Sequence, residues 1–346
     1  MTTIRPMDRD DLPRVAALLT DWAANQRGLA AVVLDYPWAD PELPSLVAVD
    51  DDDAVIGFIG SQVRRMRFDG REIRGVCCTQ LAVAPEHRGG PAGARLLRGL
   101  ISGPQEITWS DSATDPVRRV WKALGGHLDY ARAADFFLLL RPARWLAGVG
   151  RTLAKREAIG REQSPVGGFP FAGLGQRLTR SEPVDRTGIT GANADVAAIV
   201  ECQPEIWPKL RVGVQWDEPQ LKHLFAEVDA AVGPLVIRVV RRNGRPIAWY
   251  AYLLRPGGIS KVLHFAAAER DAEQAFSDLV DHARSAGSAG LAGRAEPHLE
   301  ETLRHRRAIL GLARQPILHA QDPELAAALA TSSALLTRLA GEVFIP

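Results

Sequence analysis

The chain has few cysteines and no long apolar runs. Three cysteines among 346 residues cannot build a disulfide framework, and none has the spacing of a metal ligand. The longest apolar stretches, such as 136–140, are too short to cross a bilayer. The first residues are polar and charged, unlike a secretory signal peptide. These features predict a protein of the reducing cytoplasm, without a membrane partner.

Neither sign of charge is in excess. The 42 Lys and Arg residues against 41 Asp and Glu give a net charge of +1, so no strong field attracts nucleic acid, and we expect no nucleic-acid partner. The hydrophobic share of 46% and the charged share of 24% are typical of a globular protein. The length exceeds what one compact core usually takes and predicts two domains.

Clusters of potential ligands have simpler interpretations as structural residues. Asp50–Asp53 is typical of a hairpin tip, since neighbouring residues in a turn rarely converge on one ion. Cys77 and Cys78 are adjacent in a predicted strand, point to opposite faces, and suit a core. His298 and His305 share a face only if that stretch is helical, and two ligands without a third make a weak zinc site. We expect no metal.

The most informative segment is Thr79–Leu100. An apolar strand ends at Pro85, a loop rich in glycine follows, and apolar residues then recur at helical spacing. Such a loop turns backbone N–H groups inward and aims a helix N-terminus at the same point, which suits a phosphate or pyrophosphate. A Rossmann dinucleotide site would need G-x-G-x-x-G, which this loop lacks.

The sequence around this segment predicts the following order of elements: a strand, a helix, an irregular stretch over 27–45 and a meander of strands. The glycine segment comes next, and the last strands of this half lie over 127–140. A connector over 142–185, with one basic helix, separates this first domain (1–141) from a second over 186–346. The second domain repeats the pattern of strand, hairpin signal, strand and helix, but has no glycine between its strand Ile259–Ala267 and its helix. Two acids stand there instead, so we expect no nucleotide in the second copy.

The segment from Leu81 to Ala94 resembles the signature of the GCN5-related N-acetyltransferases. That family has a strand ending V-x-P and then (Arg/Gln)-x-x-Gly-x-(Gly/Ala); here Val83-Ala84-Pro85, Arg88 and Gly93 match. The resemblance covers 3–141 and extends as a degenerate copy over 185–346. It implies an α/β (α+β) fold of two such domains, each a mixed, mostly antiparallel twisted sheet flanked by helices.

The resemblance also implies acetyl-CoA as co-substrate. Strands Thr79–Val83 and Ile107–Asp111 would splay apart and admit the pantetheine. Its binding residues would be Leu81, Ala82, Val83, Arg88, Gly89, Gly90, Ala92, Gly93 and Ala94, with an N–H near Leu81–Ala82 for the oxyanion.

Two positions depart from the family pattern. Pro91 replaces the middle glycine and removes one N–H donor, although proline suits the first turn of a helix. Trp121 stands where many members have the tyrosine that protonates the thiolate, so that acid is absent.

Candidate catalytic residues are Asp111, as the base that takes the amine proton, and Tyr130, as the acid for the thiolate. The alternatives are that Asp111, with Ser110, Ser112 and Thr114, caps the next helix and that Tyr130 only packs. Acceptor-binding candidates fall in both halves: Asp35, Tyr36, Trp38, Trp216, Trp249, Tyr250, Tyr252 and His264.

The sequence thus predicts an N-acetyltransferase that acts on a small-molecule amine or amino sugar by direct attack. The alternative is a non-catalytic acyl-CoA-binding regulatory or interaction protein. The pattern also allows a homodimer.

Overall fold

The computed structural model describes residues 2–19, 26–141, 184–312 and 315–342. The predicted connector helix lies outside these residues. The strands are β1 Thr3–Pro6, β2 Leu46–Val49, β3 Val55–Phe68, β4 Arg71–Val83, β5 Ile107–Ser110, β6 His127–Leu128, β7 Ala134–Leu139, β8 Ile189–Asn193, β9 Val212–Val214, β10 Leu235–Arg242, β11 Arg245–Leu253, β12 Ile259–Ala267, β13 Gly290–Arg294, β14 Ile309–Leu312, β15 Ile317–Ala320 and β16 Ala334–Leu335.

The helices flank these strands: α1 Leu12–Leu18, α2 Gln26–Val33, α3 Ala92–Ile101, α4 Asp115–Ala123, α5 Val196–Ile206, α6 Glu218–Val232, α7 Glu269–Ser285, α8 Glu300–His305 and α9 Pro323–Leu329. Among the helices in the described ranges, none is both long enough and apolar enough to cross a bilayer.

The strands form two mostly antiparallel sheets, and each strand of the second sheet has an equivalent at the same place in the first. The first sheet runs β1-β2-β3-β4-β5-β15-β6, and β9 joins it beside β3. The second runs β8-β10-β11-β12-β13-β7-β14. Along each of these two orders one neighbouring pair is parallel, β4 with β5 and β12 with β13, and in the first sheet the short strand β16 also pairs in parallel with β9. The predicted fold class, two mixed sheets flanked by helices, is confirmed.

The halves exchange strands. The prediction that 127–140 supplies the last strands of the first sheet is wrong for β7, which pairs with β13 and β14 in the second sheet. In return, β15 pairs with β5 and β6 in the first sheet. Phe136 of β7 is fully buried against Phe276 of α7, with ring centroids 5.8 Å apart. This contact explains the placement, and the domain boundaries at 141 and 186 stay a prediction.

The stretch 27–45 is not irregular throughout, because α2 occupies its beginning. Leu29, Ala30 and Val33 recur at helical spacing and are buried against the cluster that contains Val15. Three prolines further along dominated the sequence pattern and hid this helix.

The largest buried apolar cluster runs through both halves. It joins Leu96 and Trp109 of the first half to Ile199 and Trp249 of the second. Since one core serves both sheets, the two parallel strand pairs are held in a fixed arrangement.

Candidate active site

The first parallel pair opens into a wedge. β4 and β5 pair in register from Gly75 with Ile107 to Cys77 with Trp109. Beyond Cys77, β4 continues to Val83 while β5 ends at Ser110. Leu81, Ala82 and Val83 are half-buried there, which leaves their strand edge open to a ligand. We call this opening the first wedge.

A β-bulge lies on the β4 side of the first wedge. Phe58 pairs with Ala82 and Gly60 with Thr79, so two residues of β4 face Ile59 alone. Gln80, one of the two, has a φ of 53°, in the left-handed region that only a few non-glycine residues adopt. The bulge turns the backbone at Gln80 and Leu81 out of the regular ladder, where an N–H can face a ligand.

The glycine loop joins β4 to α3. Gly89 has a φ of 85°, so glycine suits this position. Pro91 is the residue before the helix, and its carbonyl accepts from Arg95 at 2.9 Å, the first bond of the helix. Around the start of α3, the N–H groups of Gly89, Ala92, Gly93 and Ala94 make no backbone hydrogen bond and remain for an anion.

The other predicted loop donors bond within the protein. The N–H groups of Arg88 and Gly90 donate to the carbonyls of Pro85 and His87, and the Arg88 side chain donates to the Val83 carbonyl at 3.2 Å. Pro91 has no N–H, so the donors available to a pyrophosphate are fewer than the sequence motif implies.

Asp111 follows β5 directly and is buried. Its Oδ1 lies 2.8 Å from Nη2 of Arg294, which the second half supplies from β13. Of the residues predicted to cap the next helix, Thr114 and not Asp111 is the N-cap of α4. The catalytic role of Asp111 stays a prediction, and its carboxylate is already held by a buried cation.

Glu342, which the sequence analysis missed, completes this cluster. Its Oε2 accepts from the Asp111 backbone N–H at 3.0 Å and from the Ser110 hydroxyl at 3.5 Å. Burial, and secondarily the charge of Asp111, raise the pKa of Glu342 to about 8. The only sequence signal was Gly341: a Cβ there would lie 1.8 Å from Asp111 Oδ2, so only glycine permits this approach.

The two aromatic candidates for the acid differ in exposure. Trp121 is fully buried on α4, and its indole has no titratable proton. Tyr130 lies in a 3-10 turn, Tyr130–Arg132, and not in a strand, and it is 73% exposed. Its role as acid stays a prediction.

A cavity of about 990 Å³, which we call the central cavity, is lined by residues of both halves. Trp38 from the first half stacks on Trp216 from the second, with ring centroids 5.5 Å apart, and its Nε1 donates to Asp217 at 2.7 Å. Arg65 lies over the Trp38 ring, 5.9 Å from its centroid. The wall is therefore aromatic with charges of both signs.

Trp249 and His264 form another part of the cavity wall. Their rings stack with centroids 3.8 Å apart. Burial lowers the pKa of His264 well below its ordinary value, so this imidazole is neutral.

Other predicted acceptor residues lie elsewhere. Tyr250 and Tyr252 are fully buried on the opposite face of the second sheet, beside α7. Asp35 pairs with Arg9, and the Tyr36 hydroxyl bonds the Ser61 carbonyl and the Val63 N–H. The structure thus brings together Trp38, Trp216, Trp249 and His264 of the predicted set.

The two histidines considered as a weak zinc site, His298 and His305, do not lie on one helix. His298 is buried in the 3-10 turn Pro297–Leu299, while His305 is partly exposed at the end of α8. In the part of the chain that the structure describes, no group of three or more His, Cys, Asp or Glu side chains is placed to hold a metal ion.

The second parallel pair also splays, but the chain itself fills the opening. β12 and β13 pair from Ile259 with Gly290 to Lys261 with Ala292, and a register shift follows near Leu263. The segment Leu336–Glu342, which we call the crossing segment, enters this second wedge. The Leu339 N–H donates to the Leu263 carbonyl at 2.9 Å, as a bound strand would.

Two side chains of the second wedge hold the crossing segment. His264 Nδ1 lies 2.8 Å from Thr337 Oγ1, and Arg294 donates to the Leu336 carbonyl at 3.1 Å. α7 begins directly after β12 without a glycine loop, and Asp271 in its first turn pairs with Arg242. The second wedge therefore has neither the space nor the anion-binding loop of the first.

Comparison with known proteins agrees with this architecture. No protein-family model matches the chain, and no curated protein matches its sequence. Solved structures do match: a probable N-acyltransferase of unknown function from Enterococcus faecalis (TM-score 0.63, 11% identity, 92% of this chain and 73% of that one). Two GCN5-related N-acetyltransferases, from Anabaena variabilis and Kribbella flavida, match with TM-scores of 0.59 and 0.55 and identities of 9% and 16%.

The match to the Anabaena protein covers 93% of this chain and 73% of that protein. The match to the Kribbella protein covers 95% of this chain and 72% of that protein. At such identities the likeness concerns the fold. Together with the splayed strand pair, the bulge and the glycine loop, it identifies the chain as a tandem of two domains with the GCN5-related N-acetyltransferase fold.

Proposed function

We propose that this chain is an N-acetyltransferase that transfers an acetyl group from acetyl-CoA to an amine of a small molecule or amino sugar. The observation that carries the proposal is the contrast between the wedges. The first has an open strand edge, a bulge and a glycine loop, while the second is filled by the chain's own crossing segment.

The first wedge fits acetyl-CoA by its chemistry. The free N–H groups of Gly89, Ala92, Gly93 and Ala94 gather at a helix N-terminus, where they favour the doubly charged pyrophosphate. The open edge at Leu81 and Val83 offers backbone pairing to the amide groups of pantetheine. Acetyl-CoA supplies an activated thioester carbonyl, which a neutral amine can attack directly.

The bulge suits the oxyanion. An N–H near Leu81 and Ala82, turned out of the ladder beside Gln80, would donate to the carbonyl oxygen as negative charge develops there. Such a fixed donor contributes most in a site from which water is excluded.

The central cavity is the acceptor site in this proposal. It lies against the crossing segment, whose residues Thr337 and Ala340 line it, and its tryptophans offer flat apolar faces. Asp217 and Asp40 supply carboxylates on the same wall, which suit a cationic amine.

The first test is CoA binding measured by calorimetry. Gly89→Glu combined with Gly93→Glu places two carboxylates where the pyrophosphate would lie, and we expect binding to be abolished. Gly244→Glu is the matched control, because Gly244 has a φ of 83° and open space around it, as Gly89 does. The wild type should bind one CoA per chain; unchanged binding in the double variant, or two sites, would contradict the proposal.

A second candidate function is a non-catalytic acyl-CoA-binding protein. The observation that favours it is Trp121, which is buried where a thiolate acid would be expected. Acetyl-CoA and a panel of glucosamine, lysine, spermidine and tryptamine, analysed by mass spectrometry, separate the two functions. Tight CoA binding without acetylation of any of them supports the second. A cytoplasmic location and a homodimer stay predictions.

A further inference from the structure

Glu342 is a buried titratable group at the end of β5, beside the first wedge, and it belongs to no sequence motif. Its carboxylate accepts from the backbone N–H of Asp111 and from the Ser110 hydroxyl, both at the point where β5 leaves β4. Its charge acts on the thiols of Cys77 and Cys78, the β4 residues at the same point. The side chain therefore stands where the two strands part.

The groups that face Glu342 come from several elements. Asp111 lies beside it at the end of β5, and Arg294 of β13 neutralises Asp111 from the other side. Burial, and secondarily the charge of Glu342, raise the pKa of the Cys77 and Cys78 thiols of β4. Arg64 of β3 donates to the Ala340 carbonyl at 2.8 Å and fixes the backbone just before Glu342.

The crossing segment runs from the central cavity to the end of β5. Thr337 and Ala340 line the cavity, and Glu342, two residues further along, contacts the end of β5. An amine in the cavity and a thioester in the first wedge would meet beside this segment.

Both carboxylate oxygens of Asp111 already have partners within the protein. Its Oδ1 lies 2.8 Å from the Arg294 guanidinium, and its Oδ2 accepts from the Glu342 N–H at 3.4 Å.

We propose that the Glu342 carboxylate is the general base of acetyl transfer, accepting a proton from an ammonium group that enters through the central cavity. This assignment rests on the proposed function. The freed nitrogen lone pair forms the C–N bond to the thioester carbonyl carbon, and the C–S bond breaks with its electron pair on sulfur. Of the two protons that the ammonium group loses, one passes from Glu342 to the thiolate and the other to solvent.

The test is Glu342→Gln, which keeps the shape and one acceptor oxygen but cannot take the proton. With acetyl-CoA and the best amine of the panel, we expect kcat to fall about 100-fold or more. CoA affinity, measured by calorimetry, should stay within about twofold of the wild type. Glu324→Gln, at an exposed glutamate in the first turn of α9, is the matched control and should leave kcat unchanged.

The pH profile separates a catalytic role from a structural one. Because the pKa of Glu342 is raised to about 8, the ratio of wild-type to Glu342→Gln rates should rise about tenfold per pH unit up to pH 8 and then level off. Glu342→Asp should recover part of the rate, and formate should partly restore Glu342→Ala.

Three results would overturn the assignment: wild-type kcat in Glu342→Gln, a rate ratio independent of pH, or no gain from either the aspartate variant or formate. A wild type that acetylates no amine of the panel would instead overturn the proposed function, and the assignment with it.

Discussion

The two wedges of this molecule are built from equivalent strands but are filled differently. In the first, β4 and β5 part beside a glycine loop whose N–H groups are free. In the second, β12 and β13 part in the same way, but Leu339 bonds the Leu263 carbonyl and occupies the opening. Two openings of the same backbone geometry thus differ in whether a segment of the chain itself fills them.

The difference teaches that the glycine loop, and not the splayed strands, decides what a wedge binds. Splayed strands offer an unpaired edge that any extended group can use. Selectivity for a phosphorylated ligand needs the loop, and the second half replaces it with an immediate helix start at Glu269.

The largest expected effect on stability comes from replacing Arg294, which contacts Asp111 beside the first wedge and Leu336 in the second. Arg294→Met leaves Asp111 buried without its cation and the Leu336 carbonyl without its donor. We expect the free energy of unfolding, measured in urea, to fall by about 3–5 kcal/mol. The matched control is Arg304→Met on α8, where the side chain is exposed and its ion pair contributes little. A loss below about 1 kcal/mol would show that the first wedge does not depend on the second half.

The next effect concerns the filling of the second wedge. Leu339 is fully buried, so Leu339→Ala should cost about 2–5 kcal/mol of unfolding free energy, through lost burial and the cavity left behind. Leu312→Ala, at a side chain that is 91% exposed, should change stability by less than about 0.5 kcal/mol. Equal effects at the two positions would mean that the crossing segment is not anchored in the second wedge.

The pH dependence of stability tests the junction of the two wedges. The folded pKa of Glu342, about 8, lies above the ordinary value of 4.5, so folding favours the protonated group. The stabilisation that the protonated Glu342 gives to the folded state is complete below pH 4.5 and is lost as the pH rises through 8. Relative to Glu342→Gln, the wild type should lose about 3 kcal/mol of unfolding free energy between pH 6 and pH 9. Asp111, Cys77 and Cys78 remain in both proteins, so the difference isolates Glu342; parallel curves would contradict it.

The smallest effect concerns acceptor binding. Trp216→Leu removes the stack on Trp38, which contributes about 1 kcal/mol. We expect KM for the amine to rise about fivefold, with kcat and CoA affinity unchanged. A change in CoA affinity would indicate that the central cavity is part of the cofactor site.

Local features of the first wedge were accessible from the sequence. The strand end at Val83, the loop at Gly89 and the helix through Leu96 and Leu97 follow one another along the chain, so their pattern predicts a strand, a loop and a helix. The hairpins at Asp69 and Asn243 are equally local, and both residues adopt the positive φ that such turns need.

Long-range features were not accessible. The apolar run in Ala134–Leu139 fits either sheet, and burial of Phe136 against Phe276 selects the second. Arg294 and Glu342 carry no motif. They meet at Asp111 because the crossing segment passes from one wedge to the other, which no spacing in the sequence encodes.

The exchange of β7 and β15 also sets an order for biosynthesis. A ribosome makes β5 and β6 early, but the strand that lies between them, Ile317–Ala320, is made near position 317. Until then the nascent first sheet carries an unpaired edge at β5, which exposes it to misassociation and makes chaperone protection valuable. Closing that gap is a contact of high sequence separation, so folding should be slow for a protein of this size.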